Sequence, residues 1–358
     1  MAPDPSPGVG PRARRSIVAA IVPVVLVAAA ARPARADGTA SVDITLNQAG
    51  QDLAAELGIS GADLEMKLST GLRKGLALLD IDDFLRDFAN ASSFSNRGLG
   101  VDYATNSDRL VLGVAANLAV SAEIGDGTPS AGVAPNVTIM GGLNLASWQH
   151  PAWTVFGNLF HRGGGSGQLD GSISSLGLHV QRKFFHPTRG AKGLVAQWGG
   201  LDLTAGVELA RWSFGIGDEL GTDYTIEAGA QSRTIAATAT GTFDLHTLTV
   251  TAPVELTTSL RVLYVASVYT GVGFDAQGGR SRVDAGLTGT LTAANGAAAP
   301  TTIGSLALQA TGRQRPSIGG VHGLLGVQAN LWKLKVFTQV SYQPATTASL
   351  AFGLRVDL

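Results

Sequence analysis

The chain has 358 residues, 26 lysines and arginines against 27 aspartates and glutamates, no cysteine and 47 glycines. Charged residues make up 15%, against roughly a quarter in an average soluble domain. A disulfide framework, a cysteine zinc site, a thiol nucleophile and a lipidated N-terminal cysteine are all excluded, and the charge balance gives no reason to expect a nucleic-acid partner.

Residues 1–36 read as an export signal. Arg12, Arg14 and Arg15 form a basic start, Ile17 to Ala31 is an apolar run, and Ala34 to Ala36 offer small residues for cleavage. The run is short for a membrane span, which needs about 20 apolar residues. Five arginines against Asp4 would leave with the signal, so the mature chain is mildly acidic.

Residues 37–107 read as a helical segment, either a plug or a periplasmic unit. Ser60 and Asp63 have the spacing of a capping box. Leu64, Leu68, Leu72, Leu76 and Leu79 then recur as one helical stripe. A shorter helix is predicted around Asp82 to Asn90, with Phe84, Leu85 and Phe88 inward. Asp80, Asp82, Asp83 and Asp87 suit the positive end of a helix and lack the spacing of a calcium loop. No metal or cofactor is expected.

From Asp108 the period changes to two. Leu110, Leu112, Val114, Ala116, Leu118 and Val120 share one face, opposite Val111, Gly113, Ala115, Asn117, Ala119 and Ser121. Leu201, Leu203, Ala205, Val207 and Leu209 repeat the device, as do Val254, Leu256 and Leu260, and Leu334, Val336, Val340 and Tyr342. The polar faces are small residues with single charges, which suit the inside of a narrow barrel. After the signal no apolar run is long enough for a spanning helix, so a membrane location requires a closed sheet. Residues 108–358 are therefore predicted to be mainly β: a transmembrane antiparallel up-and-down barrel of about 12 strands, within about 10 to 14. Thr222 to His246 and Arg282 to Gly312 alternate too, either as further spans or as hairpins standing above the membrane.

All five tryptophans, Trp148, Trp153, Trp198, Trp212 and Trp332, fall at predicted strand ends, where aromatic rings mark the bilayer interface. His179, Gln181, Asp202, Glu208, Glu255, Arg261 and Arg355 fall on lumen faces. They are pore-lining candidates, with salt bridges filling a closed lumen as the alternative for Glu255, Arg261 and Arg355. Catalysis is not expected. Ser175 and His179 lie about 13 Å apart along one strand, and "RGGGSG" lacks the lysine of a phosphate loop. A hydrolase at the rim, using His161, is the enzymatic alternative.

The chain ends "SLAFGLRVDL", with Leu350, Phe352, Leu354, Val356 and Leu358 on one face. This resembles the closing strand of Gram-negative outer-membrane barrels, although Leu358 stands where those families usually have an aromatic residue. The resemblance implies recognition by periplasmic chaperones and the barrel-assembly machinery, contact with outer-membrane lipid, and an outer-membrane location. A helical segment followed by a barrel is also similar in layout to the long-chain fatty-acid transporter family, with its N-terminal hatch. A channel or transporter for small or apolar solutes is the leading expectation. A non-conducting structural or surface-adhesive barrel comes second, and a secreted soluble β-sandwich third.

Overall fold

From Leu110 onward, each hairpin of the chain adds a strand whose outward side chains are aliphatic and whose inward ones are small or polar. The computed structural model describes residues 38–76, 81–104, 110–123, 130–185, 195–228, 231–263, 265–294, 299–344 and 346–358. The predicted export signal, residues 1–36, and Leu79 and Asp80 of the predicted helical segment lie outside the described residues.

The strands are β1 (Thr39–Leu46), β2 (Leu110–Glu123), β3 (Ser130–Asn144), β4 (Trp153–Ser166), β5 (Leu169–Phe185), β6 (Ala196–Ala228), β7 (Gln231–Val262), β8 (Ala266–Ala293), β9 (Thr301–Gln314), β10 (Gly319–Leu331), β11 (Leu334–Gln343) and β12 (Thr347–Asp357). All twelve belong to one antiparallel sheet, and ten of them, β2 to β8 and β10 to β12, close a ring. The last strand seals it against the first: Leu350 pairs with Leu118, and the Leu358 N–H donates to the Leu110 carbonyl at 2.8 Å. The first and last strands of the ring are thus paired with each other, leaving no edge between them. One seam is incomplete. β3 pairs with β4 from Ile139–Leu159 to Asn144–Thr154 only, while residues 130–138 have β2 alone as a partner.

Alternation sets inside from outside. On β2, Val111, Ala115 and Ala119 are buried, while Leu112, Val114 and Leu118 are 46–50% exposed. On β12 the terminal face of Leu350, Phe352, Leu354, Val356 and Leu358 points outward, and Ala351 and Arg355 point in. The outward face of β7 is aliphatic from Leu248 to Leu260 except at Thr258, and beyond Leu248 becomes His246, Asp244, Thr242 and Thr240. At about 3.3 Å per residue and a tilt near 40°, that aliphatic stretch is roughly 30 Å tall, the thickness of a hydrocarbon core.

Strands β6, β7 and β8 run far beyond the belt. There β8 exchanges partners, pairing with β10 at Val268–Val327 but with β9 at Leu287–Leu308, and β1 adds to β9. Thr222 to His246 and Arg282 to Gly312 thus belong to a projecting five-stranded sheet, not to further spans. Two helices cover one face of it, α1 (Gln48–Glu56) and α2 (Gly61–Leu76). Leu53, Leu64 and Leu68 bury against Ile235, Leu291 and Ile303. Asn47 caps α1 by accepting from the Gly50 N–H at 3.0 Å. A Cβ on Gly50 would meet the Ile303 carbonyl at 2.3 Å, so only glycine lets the helix lie so close to β9. Ser60 and Asp63 form the capping box at the start of α2, and the Ser60 hydroxyl and N–H, both donating to the Asp63 carboxylate, hold it below its ordinary range.

The third helix, α3 (Ile81–Phe94), enters the ring from this projecting end. Phe88 meets Trp212 edge-on at 5.9 Å, and Leu85, Ala91 and Phe94 are fully buried. Residues 95–104 continue through the lumen toward the end where β2 begins and β12 stops. The predicted helical segment therefore divides: α1 and α2 sit outside the ring with a strand, β1, that the helical reading lacked, and α3 plugs it.

Candidate functional site: the occupied lumen

The inward polar residues of the strands meet the threaded segment. The Arg97 guanidinium, 1% exposed, donates to Glu208 on β6 at 2.7 Å and to Asp275 on β8 at 2.6 Å. Glu208 also holds His179 of β5 at 3.0 Å. Asp275 lies 3.0 Å from His322 of β10, whose other ring nitrogen is 3.1 Å from Glu255 of β7. Glu255 accepts from the Tyr103 hydroxyl at 2.5 Å, and the Tyr103 ring stacks on Tyr269 at 5.7 Å. The result is one continuous chain of polar contacts, from His179 through Glu208, Arg97, Asp275, His322 and Glu255 to Tyr103. Buried charges persist only where partnered in this way.

Two further clusters fix the segment around the ring. Asn117 of β2 donates to the carbonyls of Ser95 and Arg97 at 2.9 and 3.0 Å, and Asn136 of β3 donates to Asn96 at 2.7 Å. Nearer the chain end, Asp102 lies 3.2 Å from Arg355 and 3.6 Å from Lys335, while Arg355 also donates to the Val101 carbonyl at 2.5 Å. Phe337 stacks under the Arg355 guanidinium at 3.7 Å. Gly98 has a φ of 76°, a left-handed turn suited to glycine, and packs on Gln339 and Ala351.

The candidates read from sequence are placed as follows. His179, Gln181, Asp202, Glu208, Glu255 and Arg355 are buried in the lumen, and Arg261 is half-buried near the turn into β8. They line a filled lumen: Gln181 donates to the Asp102 carbonyl at 3.3 Å, and Asp202 lies 3.7 Å from Lys183. Arg355 is salt-bridged as the closed-lumen alternative had it, whereas Glu255 bonds to His322 and Tyr103. Trp148, Trp198 and Trp332 are exposed and Trp153 half-buried, all at the end holding the chain terminus. Trp212 corrects the interface assignment: it faces inward, 9% exposed, and packs on the plug. The clustered acids also do structural work. Asp87 accepts from Ser121 and Ser130, clasping α3 to β2 and β3.

Sequence reasoning missed Arg97, Asp102, Tyr103, Asp275, His322 and Lys335. The three on strands share inward parity with small residues, a usable signal. Those on the threaded segment follow no period. His161 bonds Ser174 at 2.8 Å on an exposed face, and among the described residues no carboxylate bonds it. Among the described residues no cluster suited to a metal ion is present.

A closed antiparallel ring with an aliphatic exterior, a partnered polar interior and aromatic rings at one rim is a β-barrel of the bacterial outer-membrane kind. The chain belongs to the Lsa36-like family, whose model matches residues 39–358. No curated protein matches it. Among solved structures it is similar to the translocator domain of the autotransporter NalP from Neisseria meningitidis, at 12% identity and a TM-score of 0.29, covering 70% of this chain and 88% of that one. It is also similar to a Pseudomonas aeruginosa FadL homologue, at 10% identity and a TM-score of 0.25, covering 76% and 97%. A third is Ail, the attachment invasion locus protein of Yersinia pestis, at 10% identity and a TM-score of 0.21, covering 69% and 98%.

Proposed function

We propose that the protein is a sealed barrel that anchors its α/β platform on the outer face of the membrane, a structural or surface-adhesive role rather than conduction. The observation that carries this is the threaded segment around Arg97, buried and bonded to strands on all sides of the ring. Moving it would expose several buried charges at once, each costly when left unpaired. Orientation follows from the ends of the barrel. Outer-membrane barrels keep short turns inside and longer elements outside. Trp332–Lys333 is a two-residue turn at the chain-terminus end, and the platform stands at the other. The reading includes no catalysis, and assembly would rely on periplasmic chaperones and the barrel-assembly machinery acting on β12.

The test uses the absence of native cysteine. Thr225→Cys on the projecting sheet should react with a membrane-impermeant maleimide on intact cells, and Lys333→Cys only after permeabilisation. In planar bilayers the full chain should show no steady conductance. Stable conductance overturns the sealed barrel, and the opposite labelling pattern overturns the orientation.

A second reading, transport of small apolar solutes, is favoured by the incomplete seam between β3 and β4, where residues 130–138 form no pairs with β4.

A further inference from the structure

The outer wall changes character in tiers on one side of the barrel. Cross-strand register sets Leu159, Leu176, Leu209 and Val250 in one row. The next row toward the platform is His161, Ser174, Arg211, Leu248 and Arg280, and the one after it is Ser172, Ser213, His246, Arg282 and Arg313. Asp170, Asp244 and Asp284 follow. Successive rows are two residues apart, about 6–7 Å along the strands. Along the strands an aliphatic row thus gives way to two rows carrying basic groups, and then to an acidic one.

The five charged or ionisable groups His161, Arg211, Arg280, Arg282 and Arg313 are exposed on the outer face. His246 is exposed beside them and bonds Ser213 at 3.0 Å. Arg282 pairs with Asp284 at 2.6 Å. Among the described residues Arg211, Arg280 and Arg313 form no ion pair with a carboxylate. The band is confined to this side: on β11, β12, β2 and β3 the outward register row of Tyr342, Ala348, Val120 and Val133 carries no charge. In a mildly acidic mature chain, unpaired arginines gathered at the rim of the lipid belt call for an anion held at that depth.

We infer that this band binds a phosphorylated lipid of the leaflet beside the platform, its phosphates on Arg211, Arg280 and Arg313 and its acyl chains on the Leu159–Leu176–Leu209–Val250 row. Guanidinium groups match phosphate oxygens in paired hydrogen bonds. Basic side chains at headgroup depth attract anionic lipid. Serine hydroxyls and histidine rings between the arginines add neutral donors. The inference rests on the proposed membrane placement and goes beyond it by naming the headgroup chemistry.

The experiment is native mass spectrometry of the full chain in neutral detergent. The probes are a bis-phosphorylated, multiply acylated glucosamine disaccharide, the same lipid with its phosphates removed, and inorganic phosphate. The phosphorylated lipid should bind at least about tenfold more tightly than its dephosphorylated form, and the combined Arg211→Gln, Arg280→Gln, Arg313→Gln variant should bind it on the order of 100-fold more weakly. Equal binding of the two lipids overturns the inference, as does undiminished binding by a variant whose band still shifts on boiling. Displacement of the lipid by equimolar inorganic phosphate would assign the arginines to a free anion and overturn the lipid. Should the variant fail to fold, the comparison of the two lipids on the wild type decides. A wild-type chain that stays soluble without detergent and shows no boiling shift would remove the barrel itself, an outcome distinct from an intact barrel indifferent to phosphate.

Discussion

Arg97 and Asp275 meet at 2.6 Å inside the ring, one on the threaded segment and the other on the β8 wall, and both are 1% exposed or less. The same guanidinium holds Glu208. Arg97→Met would keep the volume and leave two buried carboxylates facing an apolar chain. Breaking a buried pair by removing one partner costs about 3–5 kcal/mol. The urea midpoint of the detergent-folded protein should fall accordingly, and the variant should lose its boiling shift at a lower temperature. A midpoint equal to the wild type's would mean that the plug is held by something other than this cluster.

The outward face of β7 supplies a depth test. Leu256 lies within the aliphatic stretch and Thr242 above it. Leu256→Arg should cost about 2–4 kcal/mol in lipid, and Thr242→Arg about 0–1. Reversible unfolding in vesicles measures both. Equal costs at the two positions would place the membrane elsewhere on the strand.

The barrel was legible because period two runs through every wall strand, and because small residues opposite aliphatic ones distinguish a lumen from a solvated face. Which strands close the ring was less legible. β6, β7 and β8 keep alternating beyond the belt, and alternation alone does not say where lipid ends. The outward change from Leu248 to His246 does say it. Trp212 was misjudged by position: Leu201 to Leu209 face outward at odd numbers, so an even-numbered Trp212 had to face in. β1 offered only Val42, Ile44 and Leu46 before a capped helix. The lumen network was half visible. Glu208 and Glu255 could be placed by parity, but Arg97, Asp102 and Tyr103 sit in an aperiodic segment whose charged partners lie more than 100 residues away.

Gly132 marks where α3 touches the wall. A Cβ there would lie 2.2 Å from the Phe88 backbone nitrogen. Gly132→Val must push the helix away from β3 or strain the strand, and overpacking of this kind costs about 1–3 kcal/mol. The Phe88–Trp212 contact should loosen, shifting tryptophan emission, while the neighbouring outward substitution Val133→Leu should change nothing. Unchanged emission in Gly132→Val would place α3 off the wall.

The seam between β3 and β4 separates the sealed reading from the transport reading. Leu143 and Val155 are register partners below the break; Val137 and His161 would be partners if the pairing continued above it. A disulfide needs Cα atoms within about 7 Å. Leu143→Cys with Val155→Cys should therefore cross-link readily under mild oxidation. Val137→Cys with His161→Cys should not, because β3 is not paired with β4 there. Efficient cross-linking of the upper pair would mean that the wall zips shut in the membrane, removing the observation that favours transport. If the upper pair stays reduced, a bulky maleimide on it tests the remaining possibility: uptake of an apolar solute into protein-loaded vesicles would fall if the seam is a route. Uptake no greater than in empty vesicles, with or without the label, leaves the sealed anchor as the reading that stands.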